Sequence, residues 1–152
     1  MDTFDIPGPY LHTETDEEAI IVLEWPLSEF MDKLYPKLYS KYVTINIKWK
    51  LILYVNMYKA LYGLLRGVLL FYKKLVSELE LYGFVINSYD PCVANTEINI
   101  SQITVVCHVD HLKISHKDPF EVTRLAAYLT YIYGGMKVNL GEVHYYLGMD
   151  LD

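Results

Sequence analysis

The sequence predicts an α+β fold in which an antiparallel sheet has its helices packed on one face. Short β-branched and aromatic runs alternate with two longer segments of helical periodicity, in the order strands, helix, hairpin, helix, strands. This order is typical of an antiparallel sheet that is covered by helices. Because the chain has 152 residues, of which 53% are apolar, we expect a single domain over 1–152 with a substantial core.

Several strands are predicted outside the central hairpin. Residues 19–24 and 42–56 are rich in Ile, Val, Tyr and Leu, which favour extended structure. The second of these runs is interrupted at 48–50 by Lys-Trp-Lys, which indicates a hairpin. Further short strands are predicted at 136–138 and 143–151, near the end of the chain.

Two segments have apolar residues at every third or fourth position, as an amphipathic helix requires. In the segment 67–82 these residues are Val68, Tyr72, Leu75, Leu79 and Tyr82. Gly83 follows and is a typical helix stop. The second helix begins with Asp118 as the capping residue and Pro119 in the first turn, and its apolar spacing continues as far as Gly134.

A β-hairpin is predicted between these two helices. The run 103–109 is rich in β-branched residues, and a shorter run follows at 112–115. Asp110 and His111 lie between the two runs, where a tight turn would join the strands. The hairpin would therefore present two polar side chains at its tip.

The net charge argues against a nucleic-acid-binding protein that acts alone. The formal charge is −6 at pH 7. Affinity for a phosphate backbone depends mostly on Lys and Arg side chains that displace counterions. Any role with nucleic acid would therefore need basic surface from elsewhere.

Other patterns concern the cellular location. The apolar stretch 51–72 is interrupted by Lys59 and Arg66, so it lacks the roughly 18 to 20 apolar residues of a membrane span. The N-terminus has acidic residues where a signal peptide would be basic and then apolar. Cys92 and Cys107 lack the close spacing of a zinc site, and we expect both to be small buried residues. These features predict an intracellular protein, most simply a cytoplasmic one, that is neither secreted nor in a membrane.

A small number of polar residues could carry chemistry. Asp5 and Asp110 are predicted near neighbouring strands, and two such carboxylates are the minimum scaffold for a hard divalent cation beside a phosphate. Solvated surface aspartates are the simpler interpretation from these residues alone. A zinc site is a further alternative, built from His108, Asp110, His111 and His116. Strand alternation disfavours zinc, because it puts His108 and Asp110 on one face and His111 on the other.

Six segments, in order along nearly the whole chain, resemble the sequence blocks of copia-type retrotransposon reverse transcriptases. The segments are Phe4-Asp5-Ile6-Pro7-Gly8-Pro9-Tyr10-Leu11-His12 with the acidic 16–18, Lys59-Ala60-Leu61-Tyr62-Gly63-Leu64, Asp90-Pro91-Cys92-Val93, His108-Val109-Asp110-His111, Gly135-Met136-Lys137, and Leu140-Gly141-Glu142 with 145–149. The fourth segment falls where the family has aromatic-Val-Asp-Asp. One such block would be weak support, but six in the same order make the resemblance specific.

The resemblance implies a polymerase palm that transfers deoxynucleotides to a primer on an RNA or DNA template. In that interpretation Asp5 and Asp110 would be catalytic and would ligate Mg²⁺ or Mn²⁺. Tyr10 matches an aromatic residue beneath the incoming sugar, and Lys137 matches a block near the nucleotide phosphates. The alternatives are a core tyrosine for Tyr10 and an exposed strand lysine for Lys137.

The chain departs from the family at one catalytic position. His111 lies where the family has the second aspartate of the hairpin, and imidazole is a poor ligand for Mg²⁺. We therefore expect little or no Mg²⁺-dependent polymerase activity. We also expect this chain to be the palm alone, lacking fingers and thumb.

Two classes of function follow from these observations. The chain is either an inactive reverse-transcriptase palm or a non-catalytic interaction or scaffold protein that retains the palm fold. The amount of exposed apolar surface bears on the choice, since large apolar patches mark surfaces that another protein covers.

Overall fold

The structure is a computed structural model that describes residues 2–140 and 144–151. The chain divides into two compact units. The main unit comprises Met1–Thr13 and Ala60–Asp152, and the hairpin unit comprises Glu14–Lys59. Helices and antiparallel strands are both present, which confirms the predicted α+β class. Two compact units can belong to one domain, so the expected single domain stays a prediction.

The described part of the chain contains strands, α-helices and short 3₁₀ turns. The strands are β1 (Asp2–Asp5), β2 (Glu14–Glu24), β3 (Val43–Ile45), β4 (Leu51–Lys59), β5 (Val85–Ile86), β6 (Val93–Ile98), β7 (Ser101–His108), β8 (His111–Ser115), β9 (Lys137–Asn139), β10 (His144–Tyr146) and β11 (Met149–Leu151). The α-helices are α1 (Leu27–Leu34), α2 (Pro36–Tyr39), α3 (Leu65–Tyr82) and α4 (Pro119–Tyr133). The 3₁₀ turns are Pro9–His12 and Ser40–Tyr42.

The main unit is built on a six-stranded sheet with the strand order β5-β6-β7-β8-β1-β9. Every neighbouring pair in this sheet is antiparallel. The N-terminal strand β1 lies between β8 and β9, so it contacts two segments that come more than a hundred residues later in the sequence. This position brings the start of the chain beside the central hairpin.

Alternation along the strands gives the sheet a buried face. The side chains of Phe4, Leu112 and Ile114 are almost fully buried, and their partners in the core include residues of both α3 and α4. The helix residues of this core include Phe71, Leu75, Leu79, Val122, Leu125 and Leu129. Both helices therefore pack on the same face of the sheet. The opposite face carries the alternate residues of each strand.

Both predicted helices are confirmed. Helix α3 begins two residues before the predicted start and ends at Tyr82. Gly83 follows as the C-cap, and its φ of 109° is in the left-handed region that favours glycine. Helix α4 begins at Pro119, as predicted. The Asp118 side chain accepts a hydrogen bond from the backbone N–H of Phe120, so it caps the first turn.

The hairpin unit is a three-stranded antiparallel sheet, in the order β2-β4-β3, with α1 and α2. Its three strands confirm the strands predicted at 19–24 and 42–56, including the interruption near Trp49. The two helices were not predicted, because they are short and have no side-chain cap. The Ser28 hydroxyl donates to the Leu51 carbonyl at 2.7 Å and joins α1 to β4.

Three details differ from the sequence predictions. The strand expected at 136–138 begins at Lys137 and ends at Asn139. The single strand expected at 143–151 is instead the β10–β11 hairpin, with Val143 outside the described residues. Cys107 is buried as predicted, but Cys92 is exposed, because it lies just before β6 at the edge of the core. None of the described helices is long and apolar enough to cross a membrane.

Candidate functional site

The turn between β7 and β8 lies one residue earlier than predicted. Val109 and Asp110 form the turn, while His111 is the first residue of β8 and pairs directly with His108. Val109 has a φ of 54°, which is unfavourable for a β-branched residue. Such a conformation costs on the order of 1–3 kcal/mol and is concentrated at functional sites. The strained Val109 therefore makes this turn a candidate functional site.

Four polar residues form a cross-strand row on the open face of the sheet, opposite the helices. His108 on β7 pairs with His111 on β8, His111 pairs with Asp5 on β1, and Asp5 pairs with Lys137 on β9. Directly opposed residues of neighbouring strands project to the same face. The register of four strands thus brings together side chains that are up to 132 positions apart in sequence, from Asp5 to Lys137.

Asp110 joins this row from the turn. The backbone N–H of Ile6 donates to the Asp110 carbonyl at 3.0 Å and holds the end of β1 beside the turn. The His111 Nδ1 atom is 2.9 Å from Asp110 Oδ1, and its Nε2 atom is 4.0 Å from Asp5 Oδ1. One ligand atom from each of Asp5, Asp110 and His111 lies within 4.8 Å of the others. The imidazole therefore lies between two carboxylates.

Lys137 lies close to one of the two carboxylates, that of Asp5. Its Nζ atom is 3.9 Å from Asp5 Oδ2, and its side chain is highly exposed. Two carboxylates contribute −2 and the lysine +1, so the group has a formal charge of −1 when His111 is neutral. An exposed lysine at this distance gives only weak stabilisation to Asp5, but it reduces the attraction of the group for a cation.

Two open clefts border the cluster. A cleft of about 270 Å³ is lined by Asp5, His111 and Lys137 together with Tyr146. A second cleft, of about 420 Å³, is lined by His111 with Asp110 and other residues of the two hairpins. His111 borders both clefts, while each aspartate borders one of them. A ligand could therefore approach the cluster from two sides.

Tyr62 lies near the two carboxylates and contacts Tyr10. The rings of Tyr10 and Tyr62 meet edge to face, with centroids 4.6 Å apart. Burial raises the pKa of the Tyr62 hydroxyl, and the negative charges of Asp110 and then Asp5 raise it further. Tyr62 is 64% exposed, whereas Tyr10 is in the core and 6% exposed. Tyr62 was not predicted as a site residue, although its Leu-Tyr-Gly-Leu segment was part of the family resemblance.

The donor atoms determine which metal ion the cluster could hold. Asp5 and Asp110 offer oxygen and His111 offers nitrogen, a mixed set that suits Mn²⁺ and other first-row ions better than Mg²⁺. Two Mg²⁺ ions need more carboxylate oxygen and more negative charge than this group provides. The residues therefore fit one divalent ion and do not fit a pair of Mg²⁺ ions.

The four-residue zinc alternative is not assembled within the described ranges 2–140 and 144–151. His116 is absent from the ligand cluster, and its Nδ1 atom accepts the backbone N–H of Asp118 at 3.0 Å. His108 pairs with His111 and shares its face, so the predicted separation of these two histidines was wrong. The error came from counting Asp110 as a strand residue, which shifted the alternation by one position.

The structure brings the predicted site residues together to different extents. Asp5, Asp110 and His111 come together, Lys137 is adjacent to Asp5, and Tyr10 reaches the group only through Tyr62. No protein-family model, no curated protein and no solved structure matches the chain. What the cluster does therefore has to be inferred from these residues.

Proposed function

We propose that the chain is a copia-type reverse-transcriptase palm whose metal site has decayed to a single weak divalent-cation site. One observation carries the proposal. Asp5 at the end of β1 and Asp110 in the β7–β8 turn, far apart in sequence, converge on the open face of an antiparallel sheet. A palm-type nucleotidyltransferase needs two carboxylates in this relationship, because they hold the ions that bind the nucleotide phosphates.

The surroundings of the cluster favour the same assignment. The helices cover the opposite face of the sheet, and two clefts of about 270 and 420 Å³ give a ligand access to the carboxylates. The strained turn at Val109 presents Asp110 beyond the end of the strands. The ordered sequence blocks that resemble the family include both aspartates, the Tyr62 segment and the Lys137 segment.

The same geometry explains why we expect no polymerase activity. The His111 ring nitrogen lies at hydrogen-bonding distance from Asp110, so it competes with a cation for that carboxylate oxygen. Lys137 offsets part of the charge on Asp5. Without a second cation, the group lacks the charge that stabilises phosphoryl transfer. Primer extension by the wild-type chain with Mg²⁺ would overturn the decayed-site proposal.

The experiment that tests the origin of the site restores the missing carboxylate. Mg²⁺ is titrated calorimetrically into the wild-type chain and into His111→Asp, with circular dichroism as the check on folding. We expect His111→Asp to bind Mg²⁺ at least about tenfold more tightly, a difference of about 1.4 kcal/mol. The reason is that a third carboxylate oxygen replaces the imidazole.

His108→Asp is the matched control, because it makes the same change on the directly paired residue of β7. We expect a much smaller gain in Mg²⁺ affinity from this control. Equal gains from both variants would mean that added charge alone attracts the ion. In that case the position of His111 would not be that of a lost ligand.

An interaction protein with the palm fold is a second candidate, which the hairpin unit favours. Ile20, Val22, Tyr54 and Tyr58 project from one face of β2 and β4, and their exposed fractions are 62%, 45%, 54% and 80%. A patch of this kind is typical of a surface that contacts another protein. Sedimentation velocity tests whether this patch mediates self-association. Self-association that disappears in Tyr54→Lys would support the candidate. A wild-type chain that stays monomeric at all concentrations would argue against a self-contact.

A further inference from the structure

Cys92, in the turn before β6, lies opposite Cys107 on β7. The β6–β7 ladder pairs Val93 with Val106, so the next pair in the same register is Cys92 with Cys107. The backbone N–H of Cys107 donates to the Cys92 carbonyl at 2.8 Å, whereas the Cys92 N–H donates to the Asp90 carboxylate at 2.9 Å, so one hydrogen bond extends the pairing into the turn before β6. Directly opposed residues of antiparallel strands have Cα atoms roughly 4.5–5.5 Å apart.

The two thiol groups also face the same space. Opposed residues share a face of the sheet, and both cysteines line one apolar cavity of about 210 Å³ beside α3. The Cys107 thiol donates to the Cys92 carbonyl at 3.2 Å. Burial raises the pKa of the Cys107 thiol to about 12, and the nearby Cys92 thiol adds to the rise. Both are free thiols in this structure.

We propose that Cys92 and Cys107 form a reversible cross-strand disulfide when the protein meets a disulfide oxidant such as oxidised glutathione. The Cα separation of roughly 4.5–5.5 Å at such a pair lies within the range of about 4.4–6.8 Å that disulfides span. The bond would join the turn before β6 to the end of β7. Cys107 is three positions before Asp110 in the sequence. This inference is independent of the metal site and of the proposed function.

The reaction balances as two thiol–disulfide exchanges. The exposed Cys92 loses its proton and its sulfur attacks one sulfur of oxidised glutathione, which forms a mixed disulfide and releases one glutathione thiolate. Cys107 then loses its proton and attacks the Cys92 sulfur, which releases the second glutathione. The chain loses two electrons and two protons in total, and one oxidised glutathione becomes two reduced ones. The second exchange is the slower step, because the Cys107 thiol ionises with difficulty.

The bond should be easy to reverse. Opposed Cβ atoms in a ladder are about 4.5–5.5 Å apart, whereas a relaxed disulfide has them about 3.5–4.5 Å apart. Closure must therefore draw the strands together locally, and the resulting strain favours reduction. Strained disulfides are the ones that act as labile or regulatory bonds.

The test treats the folded full chain with oxidised glutathione and measures the intact mass. We expect the loss of two hydrogen atoms with no glutathione retained. We also expect cleavage after Glu97 to leave the Cys92 and Cys107 peptides joined until a reductant is added. A stable glutathione adduct on Cys92, a disulfide between two chains, or two free thiols would each overturn the proposal.

Two variants separate the steps. Cys107→Ala should accumulate one glutathione on Cys92, because the attacking thiol is gone. Cys92→Ser, a change at an exposed position that should leave the fold intact, should keep Cys107 as a free thiol. Rapid glutathione addition to Cys107 in Cys92→Ser would contradict the proposed order, since it would show that the buried thiol reacts first.

Discussion

The Nδ1 atom of His111 lies 2.9 Å from Asp110 Oδ1, and the Nε2 atom of the same ring faces Asp5 Oδ1 at 4.0 Å. One imidazole thus spans two carboxylates that belong to different parts of the chain. A cation that binds both aspartates must bind the ring nitrogen as well or displace it. His111 would therefore determine which cation these two aspartates could bind.

The charge of Lys137 should weaken cation binding. Its Nζ atom is 3.9 Å from Asp5 Oδ2. We expect Lys137→Met to tighten Mn²⁺ binding by about two- to fivefold, an effect below about 1 kcal/mol because the lysine is exposed. Calorimetric titration measures the change. Lys113→Met is the control, because Lys113 pairs with Thr3 and projects from the same face of the sheet. An equal effect in Lys113→Met would mean that Lys137 acts only through net charge.

The strained turn at Val109 should be relieved by glycine. The φ of 54° costs a β-branched residue on the order of 1–3 kcal/mol, whereas the entropic cost of glycine is about 0.5–1 kcal/mol. We expect Val109→Gly to raise the free energy of unfolding by roughly 1 kcal/mol in urea denaturation. Val106→Gly, in the regular part of β7, should lower it. Destabilisation by both variants to the same extent would show that the turn is not strained.

The core of the main unit should depend on α4. Leu125 is fully buried among residues of the sheet and of both helices. We expect Leu125→Ala to lower the free energy of unfolding by about 2–5 kcal/mol, because it leaves a cavity. Tyr131→Ala is the control on the same helix, where the side chain is 90% exposed and the change should be within about 0.5 kcal/mol. Similar losses from the two variants would contradict the described packing of α4.

Alkaline pH should destabilise the fold through Cys107. Burial raises the pKa of this thiol from 9.0 to about 12, so the folded chain keeps the proton that the unfolded chain loses. The stabilisation is complete below about pH 9 and is lost as the pH rises toward 12. Urea denaturation across this interval should show a steeper fall for the wild type than for Cys107→Ala. Parallel curves would mean that Cys107 ionises equally in both states.

Local patterns predicted much of the secondary structure. Asp118, Pro119 and the apolar spacing were enough to predict α4, and Gly83 marked the end of α3, because caps and stops are properties of neighbouring residues. Helices α1 and α2 were missed, since they are too short for periodicity to show. The bounds and partners of β1 were not predicted, although Asp5 was expected near a strand, because β1 is four residues long and its partners, β8 and β9, are distant in sequence.

The sequence indicated most residues of the candidate cluster, but it did not indicate their geometry. The family resemblance selected Asp5, Asp110 and Lys137, but it could not give the register that aligns His108, His111, Asp5 and Lys137 across four strands. The shift of the turn to Val109 changed which side chains share a face. Tyr62 was missed as a neighbour of the carboxylates because its approach depends on the packing of Tyr10, a long-range contact.

The most direct test of the central claim is the number of Mn²⁺ ions that the wild-type chain binds, measured from the electron paramagnetic resonance signal of the free ion. We expect one ion per chain, because one ligand atom from each of Asp5, Asp110 and His111 lies within 4.8 Å of the others. Asp5→Asn and Asp110→Asn should each weaken binding at least about tenfold, a loss of about 1.4 kcal/mol. Two bound ions, or binding that neither substitution changes, would contradict a single cation site formed by these two aspartates and His111.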